Sequence, residues 1–259
     1  MTATRAAFDI DGRHLSYLDF GGTGRPLLAL HGHMSDAASF AGLAERLAPG
    51  WRLIALDQRG HGYSDRAQDY TRAGYLDDIT ALLDHLGLDS VVLVGHSLGG
   101  INAYQFAARH PERVEAFIDA DGPASLGLDG ANPLQFVLAL PYAAPTRQEL
   151  VDGMGPMAAM FGDLVRERAD GSWALPFHPR DIVDSEGHVH GDHWADWTAS
   201  SCPALLIRAN HGVIPREQAD AMIQRRPNTH LVELDTDHFI YATDPDGFAK
   251  TVNEFLTNL

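Results

Sequence analysis

Short apolar runs alternate along this chain with longer amphipathic stretches, and the alternation sets an element order. Leu15-Ser16-Tyr17-Leu18-Asp19-Phe20 has the period of a half-buried strand, and Gly21-Gly22-Thr23-Gly24 turns the chain out of it. Residues 26–30, 52–56, 91–94, 114–121, 204–208 and 231–234 are short, largely apolar runs, as expected of strands covered on both faces. Between them the spacing predicts helices over about 37–47, 75–86, 216–225 and 245–256, with a further one entered at Gly100. In the second, Leu76, Ile79, Leu82, Leu83 and Leu86 form one stripe. Strands alternating with amphipathic helices imply an α/β domain with a mostly parallel sheet.

The rhythm breaks after Pro123. Residues 124–198 are rich in Gly, Pro, Met and aromatics and read as short helices, after which the strand–helix alternation resumes. The expected organisation is a core of residues 1–123 and 199–259 with a helical cap at 124–198, inserted after the sixth strand. Ligands of open α/β sheets sit at the carboxyl ends of the strands, so an insertion leaving there can roof a pocket. Met154, Met157, Met160, Phe161 and Trp173 suit such a roof.

Composition narrows the class. With 45% hydrophobic and 21% charged residues, the 259-residue chain reads as an ordinary globule. A net charge of −16, with Lys250 the only lysine, disfavours nucleic acid and anionic membranes. The first residues hold no apolar signal core, and Cys202 is the only cysteine, which excludes an internal disulfide. A cytoplasmic protein with a small-molecule substrate and no cofactor is expected; homo-oligomerisation is left open.

The chemistry concentrates at Gly95-His96-Ser97-Leu98-Gly99, which follows the strand Val91-Val92-Leu93-Val94 and leads into a helix. A Gly-x-Ser-x-Gly between strand and helix is a nucleophile elbow: its tight turn strains the serine and lifts the hydroxyl above the sheet edge. The N–H of Leu98, next in the chain, then faces whatever Ser97 attacks.

With His31-Gly32-His33, the loop Asp57-Gln58-Arg59-Gly60-His61-Gly62-Tyr63-Ser64, and Asp237-His238-Phe239 ahead of Pro245, the elbow resembles the α/β-hydrolase superfamily. The resemblance implies an eight-stranded, largely parallel sheet flanked by helices, with a cap and a Ser-His-acid triad. It makes Ser97 the nucleophile, His238 the base, and the backbone N–H groups of His33 and Leu98 the oxyanion donors. His33 and Met34 join Met154, Met157, Phe161 and Trp173 as expected substrate contacts. Most members carry the acid after the strand at 204–208, but Ala209-Asn210-His211-Gly212-Val213-Ile214-Pro215 has no carboxylate. A family variant carries it after the preceding strand, which points to Asp121, ahead of Asp119, Asp235 and Asp237.

His188-Val189-His190-Gly191-Asp192-His193 resembles the zinc-ligand run of metallo-β-lactamase-like hydrolases. It falls within the expected cap of a different architecture, so no metal is expected there. A serine nucleophile suits a small, mostly apolar carboxylic ester or lactone. The alternatives are carbon–carbon cleavage of a diketone-like substrate and a non-catalytic ligand receptor on the same fold.

Overall fold

The computed structural model describes residues 3–127 and 132–259; part of the expected cap, residues 128–131, lies outside them. Eight strands form one sheet: β1 (Thr4–Ile10), β2 (Arg13–Asp19), β3 (Arg25–Leu30), β4 (Trp51–Leu56), β5 (Val91–His96), β6 (Val114–Ala120), β7 (Ala204–His211) and β8 (Thr229–Asp237). Their spatial order is β1-β2-β4-β3-β5-β6-β7-β8. Only β1–β2 and β2–β4 pair antiparallel; all other neighbours are parallel.

Parallel strands need crossovers, and the helices supply them on both faces. These are α1 (Ala41–Arg46), α2 (Arg72–Leu86), α3 (Leu98–Arg109), α8 (Arg216–Arg225) and α10 (Pro245–Thr257), with four short helices between β6 and β7 and α9 (Ile240–Thr243) after β8. Strand β3 explains why its run is apolar throughout. Leu28 and Leu30 pack toward α2 and α3, while Leu27 and Ala29 pack toward α1 and α10.

Two elements differ from the sequence expectation. Strand β1 is additional, joined to β2 by Asp11-Gly12 with φ of +51° and +76°, the left-handed pair of a two-residue hairpin. The helix expected over 37–47 begins as a 3₁₀ turn, Ala37–Phe40, before α1. Asp36 caps that turn through the Ala38 N–H at 2.9 Å.

After β6 the chain leaves the main sheet and returns at β7. The excursion contains α4 (Arg147–Gly153), α5 (Ala158–Phe161), α6 (Pro179–Gly187) and α7 (Trp194–Ala199). It is not purely helical: Ala143–Ala144, Trp173–Ala174 and Arg166–Glu167 form a small three-stranded ladder. A second ladder, Ser125–Leu126 with Gly191–Asp192, ties the outgoing and returning chain together at the base. The excursion has its own apolar centre, including Val137, Leu150, Phe161, Phe177 and Ile182. Helix α7, although inside the expected cap, packs on the core: Trp197 is fully buried against Tyr104 and Phe117.

Candidate active site

Strand β5 ends at His96, and Ser97 turns the chain into α3 with φ +54° and ψ −117°. Such angles strain a residue bearing a Cβ and persist only where the surroundings enforce them. Here the Ser97 N–H donates to the Ala120 carbonyl at 2.9 Å, and α3 is buried along most of its length. Gly99 is required by contact: a Cβ there would lie 1.9 Å from the Leu30 carbonyl oxygen. Of the four non-glycine residues with positive φ among those described, three, Met34, Ser97 and Asp121, lie at this one edge of the sheet.

His238 follows β8, and its Nε2 lies 2.9 Å from Ser97 Oγ. Its Nδ1 lies 2.8 Å from Oδ2 of Asp121, a fully buried carboxylate just past β6. The Val213 N–H donates to the same oxygen at 2.9 Å, and the Ala209 N–H to the other at 3.3 Å. The end of β7 and the loop after it thus contribute backbone donors where the resemblance first looks for an acid. Gly212 leaves the room: a Cβ there would sit 2.0 Å from Asp121 Oδ2.

The other carboxylates are engaged elsewhere. Asp119 is buried beneath the elbow and accepts the Gly122 N–H at 2.8 Å, and burial pushes its carboxyl well above the usual range. Asp237 accepts the Phe239 N–H and the Thr243 hydroxyl, and Asp235 pairs with His211. His96, beside the serine, points away from it. Its Nε2–H donates to the His238 carbonyl at 2.7 Å, and its ring lies 4.7 Å from the His238 ring, so it holds the neighbouring loop.

A cavity of about 320 Å³ opens at Ser97 and His238. Its wall is mostly apolar, with Met34, Leu98, Ile101, Leu134, Val189 and Val213; His33 and Glu186 are the polar exceptions beside the Ser97–His238 pair and His96. Met34, Met160 and Phe239 are shared with a second chamber of about 550 Å³, whose rim carries Ser35, Asp36, Ser39, Asp163 and Tyr241. Of the expected substrate contacts, His33 and Met34 line the first chamber and Phe161 the second. Met154, Met157 and Trp173 do not line the Ser97 cavity: they pack in the excursion's own apolar centre. A segment folding off the sheet has to bury a centre of its own, and these side chains fill it.

The zinc-like run does not converge. His190 faces the Gly127 carbonyl and Glu186, His193 faces the Val189 carbonyl and Gln105, and His188 and Asp192 are exposed. Among the described residues no group of three or more His, Cys, Asp or Glu could hold a metal.

Histidines 31, 33, 61 and 96 are buried, and burial lowers the pKa of each from 6.5. They are therefore neutral in the fold, whereas the unfolded chain protonates them as pH falls through 6.5. Their neutral burial costs nothing above that pH, and stability is lost progressively below it. Tm measured by calorimetry is expected to be lower at pH 5 than at pH 7.5, by about 2–4 °C for each kcal/mol lost. An equal or higher Tm at pH 5 would contradict this reading.

An eight-stranded sheet of this order, with a strained serine at the end of its central strand and a histidine after its last, defines an α/β-hydrolase. The family model described as alpha/beta hydrolase fold matches residues 25–245. The chain belongs to that family, and the protein is a hydrolase of it. It is similar to a 2-(acetamidomethylene)succinate hydrolase of Mesorhizobium japonicum, 41% identical over 91% of this chain and 89% of the relative. An N-formylmaleamate deformylase of Pseudomonas putida is 31% identical over 95% of this chain and 94% of the relative. The crystal structure of E-2-(acetamidomethylene)succinate hydrolase superposes with a TM-score of 0.86 at 22% identity, over 99% of this chain and 100% of that one, a likeness of fold.

Proposed function

We propose that the protein hydrolyses a small, mostly apolar carboxylic ester or lactone through an acyl-enzyme, with Ser97, His238 and Asp121 as the catalytic triad. The observation carrying this is the relay from Asp121 through His238 to Ser97, at 2.8 and 2.9 Å, opening into a small apolar cavity. Ser97 Oγ attacks the acyl carbon as its proton passes to His238 Nε2, and Asp121 stabilises the imidazolium formed. The carbonyl oxygen, now an anion, is held by the N–H groups of Leu98 and His33. Among the described residues neither N–H has a hydrogen-bond partner in the protein. His238 then gives its proton to the leaving alkoxide, and a water activated by the same imidazole releases the acid. The second chamber, which adjoins the first across Met34, Met160 and Phe239, suits the leaving alcohol.

A second reading rests on the two relatives, whose names describe N-acyl compounds bearing carboxylates. Among its described lining residues the cavity has no Arg or Lys to receive a carboxylate, which favours the ester reading. The test is a substrate panel: p-nitrophenyl butyrate, a γ-lactone, an N-acetyl enamide bearing carboxylates, and a diketone. The ester or lactone is expected to reach a kcat/KM of about 10⁴ M⁻¹s⁻¹ or more, the lower end for enzymes on accepted substrates. Cleavage of the enamide or the diketone alone would overturn the proposal in favour of that chemistry.

A further inference from the structure

Among the described residues lining the Ser97 cavity, Glu186 is the only carboxylate and there is no Arg or Lys. Arg72 is the nearby guanidinium: it is buried behind the wall, donates to Asn102 Oδ1 at 3.0 Å and Ser185 Oγ at 3.2 Å, and its charge attracts that of Glu186 without lining the cavity. Lys250, the one lysine, pairs with Glu254 on α10.

Glu186 projects from α6 and is 6% exposed. Each of its oxygens faces an imidazole, Oε2 with His33 Nδ1 at 3.2 Å and Oε1 with His190 Nε2 at 3.2 Å. His33 is anchored in turn, its Nε2 receiving the Ser185 hydroxyl at 2.8 Å. Burial alone would raise the Glu186 carboxyl, yet the His33 hydrogen bond holds it below the usual carboxylate range. The Glu186 carboxylate therefore stands in the wall beside the attacking serine, where the other polar side chains are imidazoles and the Ser97 hydroxyl, with the Arg72 guanidinium behind it.

Building on the acyl-hydrolase reading, we propose that Glu186 is the specificity-determining charge of this site: it rejects acyl groups ending in a carboxylate and admits neutral ones. The physics is like-charge repulsion in a partly desolvated cavity, where screening by water is weak. The site would then differ in substrate charge from the two relatives named for carboxylate-bearing substrates.

The test compares p-nitrophenyl hexanoate with the p-nitrophenyl monoester of adipate, whose acyl chain has the same length and ends in a carboxylate. Wild type is expected to favour hexanoate at least 100-fold in kcat/KM at pH 7. Glu186→Gln, which keeps an acceptor for His33, is expected to shrink that preference at least tenfold, whereas Glu186→Asp, which keeps the charge, should retain it. A preference unchanged in Glu186→Gln, with both rates falling together, would make Glu186 a structural support and overturn the proposal. Binding separates this from the ester reading. In Ser97→Ala, hexanamide should bind at least tenfold more tightly than adipic acid monoamide by calorimetry. Equal binding overturns the charge filter whether or not any ester is cleaved; unequal binding with no ester cleaved leaves the filter standing and removes the ester reading instead.

Discussion

Ser97→Ala is expected to lower kcat for the accepted substrate by about 10⁴- to 10⁶-fold, the range seen when a triad nucleophile is removed. The bond-forming atom is lost, and among the described residues the His238 ring bonds no other hydroxyl. Residual turnover would come from the Leu98 and His33 N–H groups, which still polarise the acyl oxygen, with water as a poor nucleophile. Stability should barely change, because the Ser97 side chain makes no capping bond to α3. A Tm within about 4 °C of wild type, equivalent to roughly 1 kcal/mol in a chain of this size, separates loss of chemistry from loss of fold. Activity within tenfold of wild type would remove Ser97 from the mechanism.

Asp121→Asn is expected to lower kcat by about 10⁴-fold, the effect of the corresponding change in a serine protease triad. One oxygen, Oδ2, serves both the His238 ring and the Val213 N–H. An amide offers only one acceptor oxygen: placed where Oδ2 was, it turns its NH2 onto the Ala209 N–H, and flipped it turns the NH2 onto the Val213 N–H and His238 Nδ1, driving the imidazole to the wrong tautomer. An orphaned buried donor costs about 1–3 kcal/mol, so some loss of Tm accompanies the kinetic effect. Asp119→Asn is the control. That carboxyl is already pushed toward its neutral form by burial, and an amide oxygen can still accept the Gly122 N–H. Steady-state kinetics should place Asp119→Asn within about tenfold of wild type, as for a residue away from the reacting atoms. Equal losses in the two variants would leave Asp121 no special role.

Those two aspartates illustrate how far the sequence alone could go. The elbow was legible because a strained serine between a buried strand and a helix leaves a local signature. The acid was legible only by elimination, since nothing in the string tells which strand end faces the His238 ring. The cause lies in the fold: the bare Cα of Gly212 lets the loop after β7 close over Asp121 and donate to it. Strand β1 escaped because Thr4–Ile10 carries little apolar periodicity, although Asp11-Gly12 is a hairpin turn in plain view. The pocket wall was least legible. Met154, Met157 and Trp173 have the composition of a roof, but composition cannot separate side chains facing a ligand from those packed in the excursion itself. The role of Glu186 left no sequence signal. Its neighbour His190 stood out as a metal-like residue and instead pairs with that carboxylate.

Reaction of the protein with a fluorophosphonate, followed by peptide mass mapping, tests the central claim most directly, because the probe needs an activated serine and no knowledge of the substrate. The account predicts a single phosphonyl adduct, on Ser97, formed by wild type and lost in His238→Ala. An adduct on another residue, or labelling of Ser97 that proceeds equally well without the His238 imidazole, would contradict it.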